Sequence, residues 1–258
     1  MRVAGVAAAL AVVAAVVTAS ATAVVNGSPD GDAHPYVGAV VFLAPSGAFE
    51  LCSGSLVAPT VLVTAAHCAP DGATVHVSFD PNARAVFPGF LPTGTFHADP
   101  GWSPGAAPGL PGFDSNDLAV VVLDSAPAVS RLAKVPAQGY DDTLSNKQSA
   151  DIVGYGLQDP QVGPNPPRRF AVRMAGQAKV IPGGGKIGDE FLKISSSKAA
   201  ICSGDSGGPN LQAGTDIILA NSTFGPNTTC QAVAYSERLD TAHALAFLAG
   251  FGVVPTAG

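Results

Sequence analysis

An all-β fold, a sandwich or a barrel, is the class this sequence predicts, on three observations. Short apolar, β-branched runs recur along the chain; each is bounded by Gly, Pro, Asn, Asp or Ser; and helical periodicity is almost absent until the last twenty residues. In chain order the runs are Tyr36–Leu43, Leu51–Val57, Val61–Ala65, Thr74–Phe79, Leu118–Leu123, Asp151–Tyr155, Phe170–Ile181, Ile217–Phe224 and Gln231–Arg238. The 30 Gly and 22 Pro residues are scattered between them, as frequent turns require. Residues 87–116 form the longest irregular stretch, and Leu157–Arg169 is a second, Pro-rich one. The pattern changes once. Ala242 to Phe251 is rich in Ala, Leu and Phe, with Asp240 or Thr241 as N-cap and Gly252 as a stop, which predicts one terminal helix over about 241–251.

Composition narrows the class. Of 258 residues, 47% are hydrophobic and 12% charged, so the chain can bury a sizeable core. The formal net charge is -6, and the 13 Lys and Arg residues do not cluster. Phosphate binding needs a basic footprint, so nucleic acid is excluded as a partner. Arg2, the Ala/Val/Leu/Gly run Val3–Val17 and the small residues Ala21-Thr22-Ala23 predict a signal peptide over residues 1–23. The mature chain, 24–258, then starts at Val24 and is secreted and extracellular, with no membrane attachment once the leader is gone. Four cysteines, Cys52, Cys68, Cys202 and Cys230, predict two disulfides in such a chain. Three pairings are open. Joining sequence neighbours closes short loops, each worth about 3 kcal/mol. The absence of a CxxC spacing argues against zinc.

Three segments carry chemistry: Thr64-Ala65-Ala66-His67-Cys68, Asn116-Asp117-Leu118-Ala119-Val120-Val121 and Ser203-Gly204-Asp205-Ser206-Gly207-Gly208-Pro209. Singly, each has a bland reading: a structural His beside a Cys, a turn Asp before a strand, a glycine turn. Together they supply what a weak hydroxyl nucleophile needs. Ser206 is the nucleophile, His67 the base within reach of it, and Asp117 the carboxylate that fixes the imidazole tautomer. Glycines beside the Ser let backbone N–H groups approach a developing oxyanion, each donor being worth about 3–4 kcal/mol in the transition state.

The order His–Asp–Ser, with the Ala-Ala-His-Cys, Asp-Leu-Ala-Val and Gly-Asp-Ser-Gly-Gly-Pro segments, resembles the chymotrypsin/trypsin family of serine peptidases over roughly residues 24–251. Further likenesses are Val24-Val25-Asn26-Gly27 at the mature start, Cys52-Ser53-Gly54-Ser55-Leu56, Gly154-Tyr155-Gly156 and Thr223-Phe224-Gly225. The resemblance implies two six-stranded antiparallel barrels packed face to face, about 36–137 and 138–239, with a short C-terminal helix and the site between the barrels. It implies a serine endopeptidase working through an acyl-enzyme, with His67, Asp117 and Ser206 as the triad. Gly204 and Ser206 become the oxyanion donors, and Cys52 bonds Cys68. The free amine of Val24 turns inward to pair with Asp205, and since Ala23 precedes Val24, leader removal would itself be the activating cut. Thr223, Phe224 and Gly225 form the edge that pairs with substrate backbone.

The same resemblance puts Ala200 at the base of the primary specificity pocket, with Ile201 beside it and Gly225 and Val233 in the walls. An apolar base leaves a buried Lys or Arg without a partner. Cleavage after small-to-medium aliphatic residues is expected, with Leu, Phe or Tyr as the alternative. No cofactor and no metal are expected; the partners are protein or peptide substrates, and the chain is a monomer. His34, His76, His97 and His243 lack metal-site spacing. Asn26, Asn221 and Asn227 begin glycosylation acceptor patterns, and no sugar is expected on the first two. Gly183–Lys186 reads as a flexible turn, not a phosphate loop. The competing readings are a non-catalytic binding protein on the same fold and an adhesin that keeps the triad.

Overall fold

The computed structural model describes residues 24–86, 92–107, 112–181, 190–195, 198–225 and 229–257. The leader expected over 1–23, the turn at 183–186 and Asn227 lie outside them. A two-residue strand β1 (Ser28–Pro29) precedes a closed antiparallel barrel. That barrel comprises β2 (Val37–Leu43), β3 (Phe49–Ala58), β4 (Val61–Thr64), β5 (Thr74–Ser78), β6 (Thr93–Ala98) and β7 (Ala119–Leu123), in the order β2-β3-β4-β7-β6-β5. The second set is β8 (Ser149–Gly154), β9 (Met174–Ile181), β10 (Phe191–Ile194), β11 (Pro209–Gln212), β12 (Ile218–Phe224) and β13 (Ala234–Arg238). It runs β9-β10-β13-β12-β11-β8 and closes through a β8–β9 pairing, with β1 added to the edge of β9. Two six-stranded barrels and a terminal helix are therefore present, as the resemblance implies.

Several elements differ from the sequence expectation. β6 lies inside the stretch expected to be irregular, and β10 and β11 were not anticipated. The run expected as one strand from Phe170 begins only at Met174, because Ala171 adopts φ 64 and turns the backbone out of the extended region. A one-turn helix α1 (Ala83–Val86) follows β5. Helix α2 (Ala242–Ala249) is capped by Thr241, whose Oγ1 accepts from Ala244 N at 3.1 Å, and it stops short of Gly252. Ala244 and Leu248, one turn apart, pack into the main core. That core joins first-barrel residues such as Leu62, Phe96 and Val121 to Val153, Tyr155, Leu211 and Ile218 of the second.

One charged side chain holds the barrels together. Arg173 is 1% exposed. Its guanidinium donates to Asp30 Oδ2 (3.0 Å), Val37 O (3.0 Å), Phe79 O (2.9 Å), Tyr155 Oη (3.1 Å) and Gly31 O. Burial works against the Asp30 carboxylate, but hydrogen bonds from His34 and the charges of His34 and Arg173 hold its pKa below the usual range. Arg173→Met leaves that carboxylate buried beside a thioether, a loss of about 3–5 kcal/mol. We expect Tm to fall by roughly 10 °C. The double change Arg173→Met with Asp30→Leu should recover part of it, and a scan in which the single and double variants melt together would contradict this account.

Candidate active site

Strand pairing explains how residues fifty positions apart meet. β4 and β7 are neighbours, with Thr64 opposite Ala119. His67 sits in the 3-10 turn Ala66–Cys68 just after β4, and Asp117 just before β7. Both therefore emerge at one end of adjacent strands. Asp117, 0% exposed, accepts from the His67 backbone N–H at 2.9 Å and lies 2.7 Å from Nδ1. A carboxylate only accepts, so Nδ1 carries the proton and Nε2 is left as the acceptor. The Cys52–Cys68 disulfide ties this turn to β3.

Ser206 comes from the loop before β11, and the first barrel grips that loop. Ser53 N–H donates to Ser206 O (2.8 Å), Ser53 Oγ donates to Gly204 O (2.9 Å), and Thr64 Oγ1 donates to Ser53 O (2.7 Å). Gly207, at φ +75, has no room for a side chain: a Cβ would stand 2.2 Å from Thr64 Oγ1 and 2.6 Å from Ala65 N. Only glycine lets the nucleophile loop approach the His67 segment this closely. Ser206 and His67 line one cleft of about 460 Å³ with Cys52, Cys68, Leu157 and Gly204. No hydrogen bond joins imidazole to hydroxyl among the described residues; such bonds commonly tighten only when substrate binds. The backbone N–H groups of Gly204 (φ +95) and Ser206 have no protein acceptor among the described residues.

Asp205 is wholly buried between them. Its carboxylate accepts from Gly156 N and Cys202 N, both at 2.9 Å. Burial pushes its pKa up to about 7, against the pull of those two bonds. Val24 is buried, and Val25 exchanges backbone bonds of 2.9 and 3.0 Å with Ala200. A smaller space of about 150 Å³ adjoins Ser206, lined by Ile201, Cys202, Ser203, Thr223, Gly225 and Cys230. The Cys202–Cys230 disulfide forms part of it. Ile201, Thr223 and Gly225 thus come together with the nucleophile. Ala200 lies buried against Val25, and Val233 is half-buried; neither lines this space.

Three further residues were not visible in the sequence. Phe113, inside the irregular stretch, lays its ring 3.9 Å from that of Phe224 and 5.1 Å from that of Tyr235, between centroids. Glu190 accepts from Ser115 Oγ (2.9 Å) and from Asn116 N–H, the two residues before Asp117. Glu237 is buried nearby at 2% exposure. Their only sequence signal was a charge inside or beside an apolar run. His34 and His243, which lack metal-site spacing, bond Asp30 (2.6 Å) and Asp99 (2.8 Å). Asn221 is 0% exposed, out of reach of a sugar. His67, Asp114 and Asp117 bring their ligand atoms within 4.8 Å of one another, a grouping the His67–Asp117 pair already accounts for.

Burial lowers the affinity of His67 for a proton, but the hydrogen bond and charge of Asp117, then Asp114 and Glu50, outweigh it and leave the pKa above 6.5. A base must be neutral, so activity should rise with pH through a midpoint above that value. Glu50→Gln and Asp114→Asn each remove a negative charge. We expect each to move the acidic limb of kcat/KM toward lower pH, and unchanged limbs would contradict the assignment.

The Trypsin family model matches residues 24–237. Among solved structures, HL collagenase aligns with a TM-score of 0.70 at 17% identity, covering 88% of this chain and 98% of that one. GrC aligns with a TM-score of 0.65 at 18% identity, covering 88% and 96%. The scabies mite inactivated protease paralogue S-I1 aligns with a TM-score of 0.62 at 16% identity, covering 88% and 98%. No curated protein matches. At these identities the structural likenesses speak for the fold alone. The family match spans most of the chain, and the chain belongs to the trypsin family. It is a serine endopeptidase, a hydrolase whose substrates are peptides.

Proposed function

We propose that the chain is a secreted, monomeric endopeptidase that cleaves after small-to-medium apolar residues through an acyl-enzyme on Ser206. The observation that carries this reading is the contact of buried Asp117 with His67, which opens onto the cleft that Ser206 lines, beside two N–H donors with no acceptor among the described residues. Ser206 Oγ attacks the substrate carbonyl carbon while His67 Nε2 takes its proton. The carbonyl oxygen, now negative, accepts from Gly204 N–H and Ser206 N–H. The C–N bond then breaks, and His67 gives its proton to the leaving amine. Water repeats the sequence on the ester and frees Ser206.

Preference follows from the 150 Å³ space. Its walls are Ile201, Thr223, Gly225 and the disulfide, with no acidic side chain among the described residues. A cationic side chain there would lose its water and gain no partner. Leu, Phe or Tyr remains the alternative where Gly225 leaves one wall open. Two disulfides and the apolar leader sequence support export. The proposed chemistry needs no group from a second copy of the chain.

A serine-directed phosphonate should label the wild-type protein and leave Ser206→Ala unlabelled. A peptide library should then give cleavage after Ala, Val or similar residues. Strong preference for Arg or Lys overturns the pocket assignment, and equal labelling of both proteins overturns the nucleophile.

A further inference from the structure

Behind Asp117 lies a carboxyl group that the reaction above does not use. Glu237, on β13, has its Oε2 fully buried with no hydrogen-bond partner among the described residues. Its register partner on β12 is Asn221, whose Oδ1 is equally buried and unpartnered. Directly opposed residues of an antiparallel pair point to the same face, with Cβ atoms about 5 Å apart. Two acceptors without a partner among the described residues therefore share one buried face of the sheet. That is costly unless one of them carries a hydrogen, and only the carboxyl can.

The two residues are tied to both halves of the relay. Asn221 Nδ2 donates to Thr64 O at 3.3 Å, three residues before His67. Glu190 O accepts from Arg238 N at 2.9 Å, next to Glu237, while the Glu190 carboxylate holds Ser115 and Asn116, next to Asp117. The belt runs from the histidine turn through β12, β13 and the start of β10 to the aspartate loop. We propose that Glu237 is a positioning residue for the His67–Asp117 pair, acting as a hydrogen-bonding carboxylic acid and not as a charge.

The surrounding charges agree with that assignment. Burial, then Glu190 at the start of β10, Asp117 before β7 and Asp99 after β6, push the Glu237 carboxyl well above its usual range; the Asp117 backbone N–H pulls the other way more weakly. Asp99 is itself engaged by His243 of α2. The neighbouring cation, Arg238, is turned to Asp240 and Asp142. Ionising Glu237 would place a second negative charge beside Asp117 and turn its one donor into an acceptor.

The proposal rests on the relay reading, and the test separates the two. Glu237→Gln keeps the shape and a donor without the charge; Glu237→Leu keeps the volume only. Both are measured with a peptide substrate, as kcat and KM against pH, alongside Tm against pH. Glu237→Gln should keep kcat close to wild type. Glu237→Leu should lose up to about 10²-fold in kcat with KM unchanged, the penalty of a misplaced base. A group whose folded pKa is raised contributes stability below its unfolded pKa and loses it as pH rises. Wild type should therefore fall in Tm relative to Glu237→Gln as pH climbs above the ordinary glutamate range, and kcat should fall earlier at alkaline pH. Glu237→Gln losing as much kcat as Glu237→Leu, or Glu237→Leu matching wild type, overturns the proposal. No hydrolysis by wild type and no phosphonate labelling would instead overturn the relay itself.

Discussion

Ser206→Ala should lower kcat for peptide hydrolysis by about 10⁶-fold, and adding His67→Ala should lower it little further. The lack of additivity is the informative part. In the proposed mechanism His67 acts only by taking a proton from Ser206 Oγ, so once the hydroxyl is gone the imidazole has nothing to activate. Gly204 N–H and Ser206 N–H belong to the backbone and survive both changes, which predicts a residual rate above that in water. Asp117→Asn should cost less, roughly 10⁴-fold, because the amide can present its N–H to Nδ1 and hold the ring in the wrong tautomer. Single-turnover measurements on the three single variants and the double variant decide this. If Ser206→Ala and His67→Ala multiply, the two residues act independently and the relay is wrong.

A chain extended on the amino side of Val24 should be poorly active, by roughly 10²- to 10⁴-fold, against one that begins at Val24. The cause is Asp205. Among the described residues its wholly buried carboxyl meets two backbone donors, and burial pushes its pKa up to about 7 while Val24 is joined to a preceding residue. A free Val24 ammonium would give it a partner, and losing one member of a buried pair costs about 3–5 kcal/mol. The backbone on either side of Asp205 carries both proposed oxyanion donors, so the cost is expected to fall on the transition state. The sign of the pH dependence follows. In the extended form the folded pKa is raised, so stability is lost as pH rises from about 4 through 7. If the Val24 ammonium pairs with the carboxylate in the form starting at Val24, as proposed, that loss should vanish. The Tm gap between the two forms should widen with pH; equal activity in both forms would end the idea.

The class of the fold and the segments that meet at the candidate site were legible in the sequence; several individual strands were not. His67, Asp117 and Ser206 lie in short segments whose neighbours serve the same purpose: Gly207 for close approach, Cys68 for the tether. Such local constraints leave local traces. β6 left none, because Thr93–Ala98 mixes Thr, Gly and His within a Pro- and Gly-rich stretch, and its partners β5 and β7 supply the order. β11 opens on Pro209-Asn210, which reads as a turn; pairing with β8 and β12 makes it a strand. Phe113 meets Phe224, 111 residues on, and Glu190 meets Ser115 and Asn116, 75 and 74 residues back, and no spacing rule reaches that far.

Arg173 has one more consequence. Its five bonds end on the amino-terminal segment, on β2, on the turn after β5 and on Tyr155, so no half of the molecule can come away without breaking this set of charge-assisted hydrogen bonds. Heating should therefore produce a single cooperative transition, with calorimetric and van't Hoff enthalpies in agreement, and neither barrel expressed alone should hold a native shape.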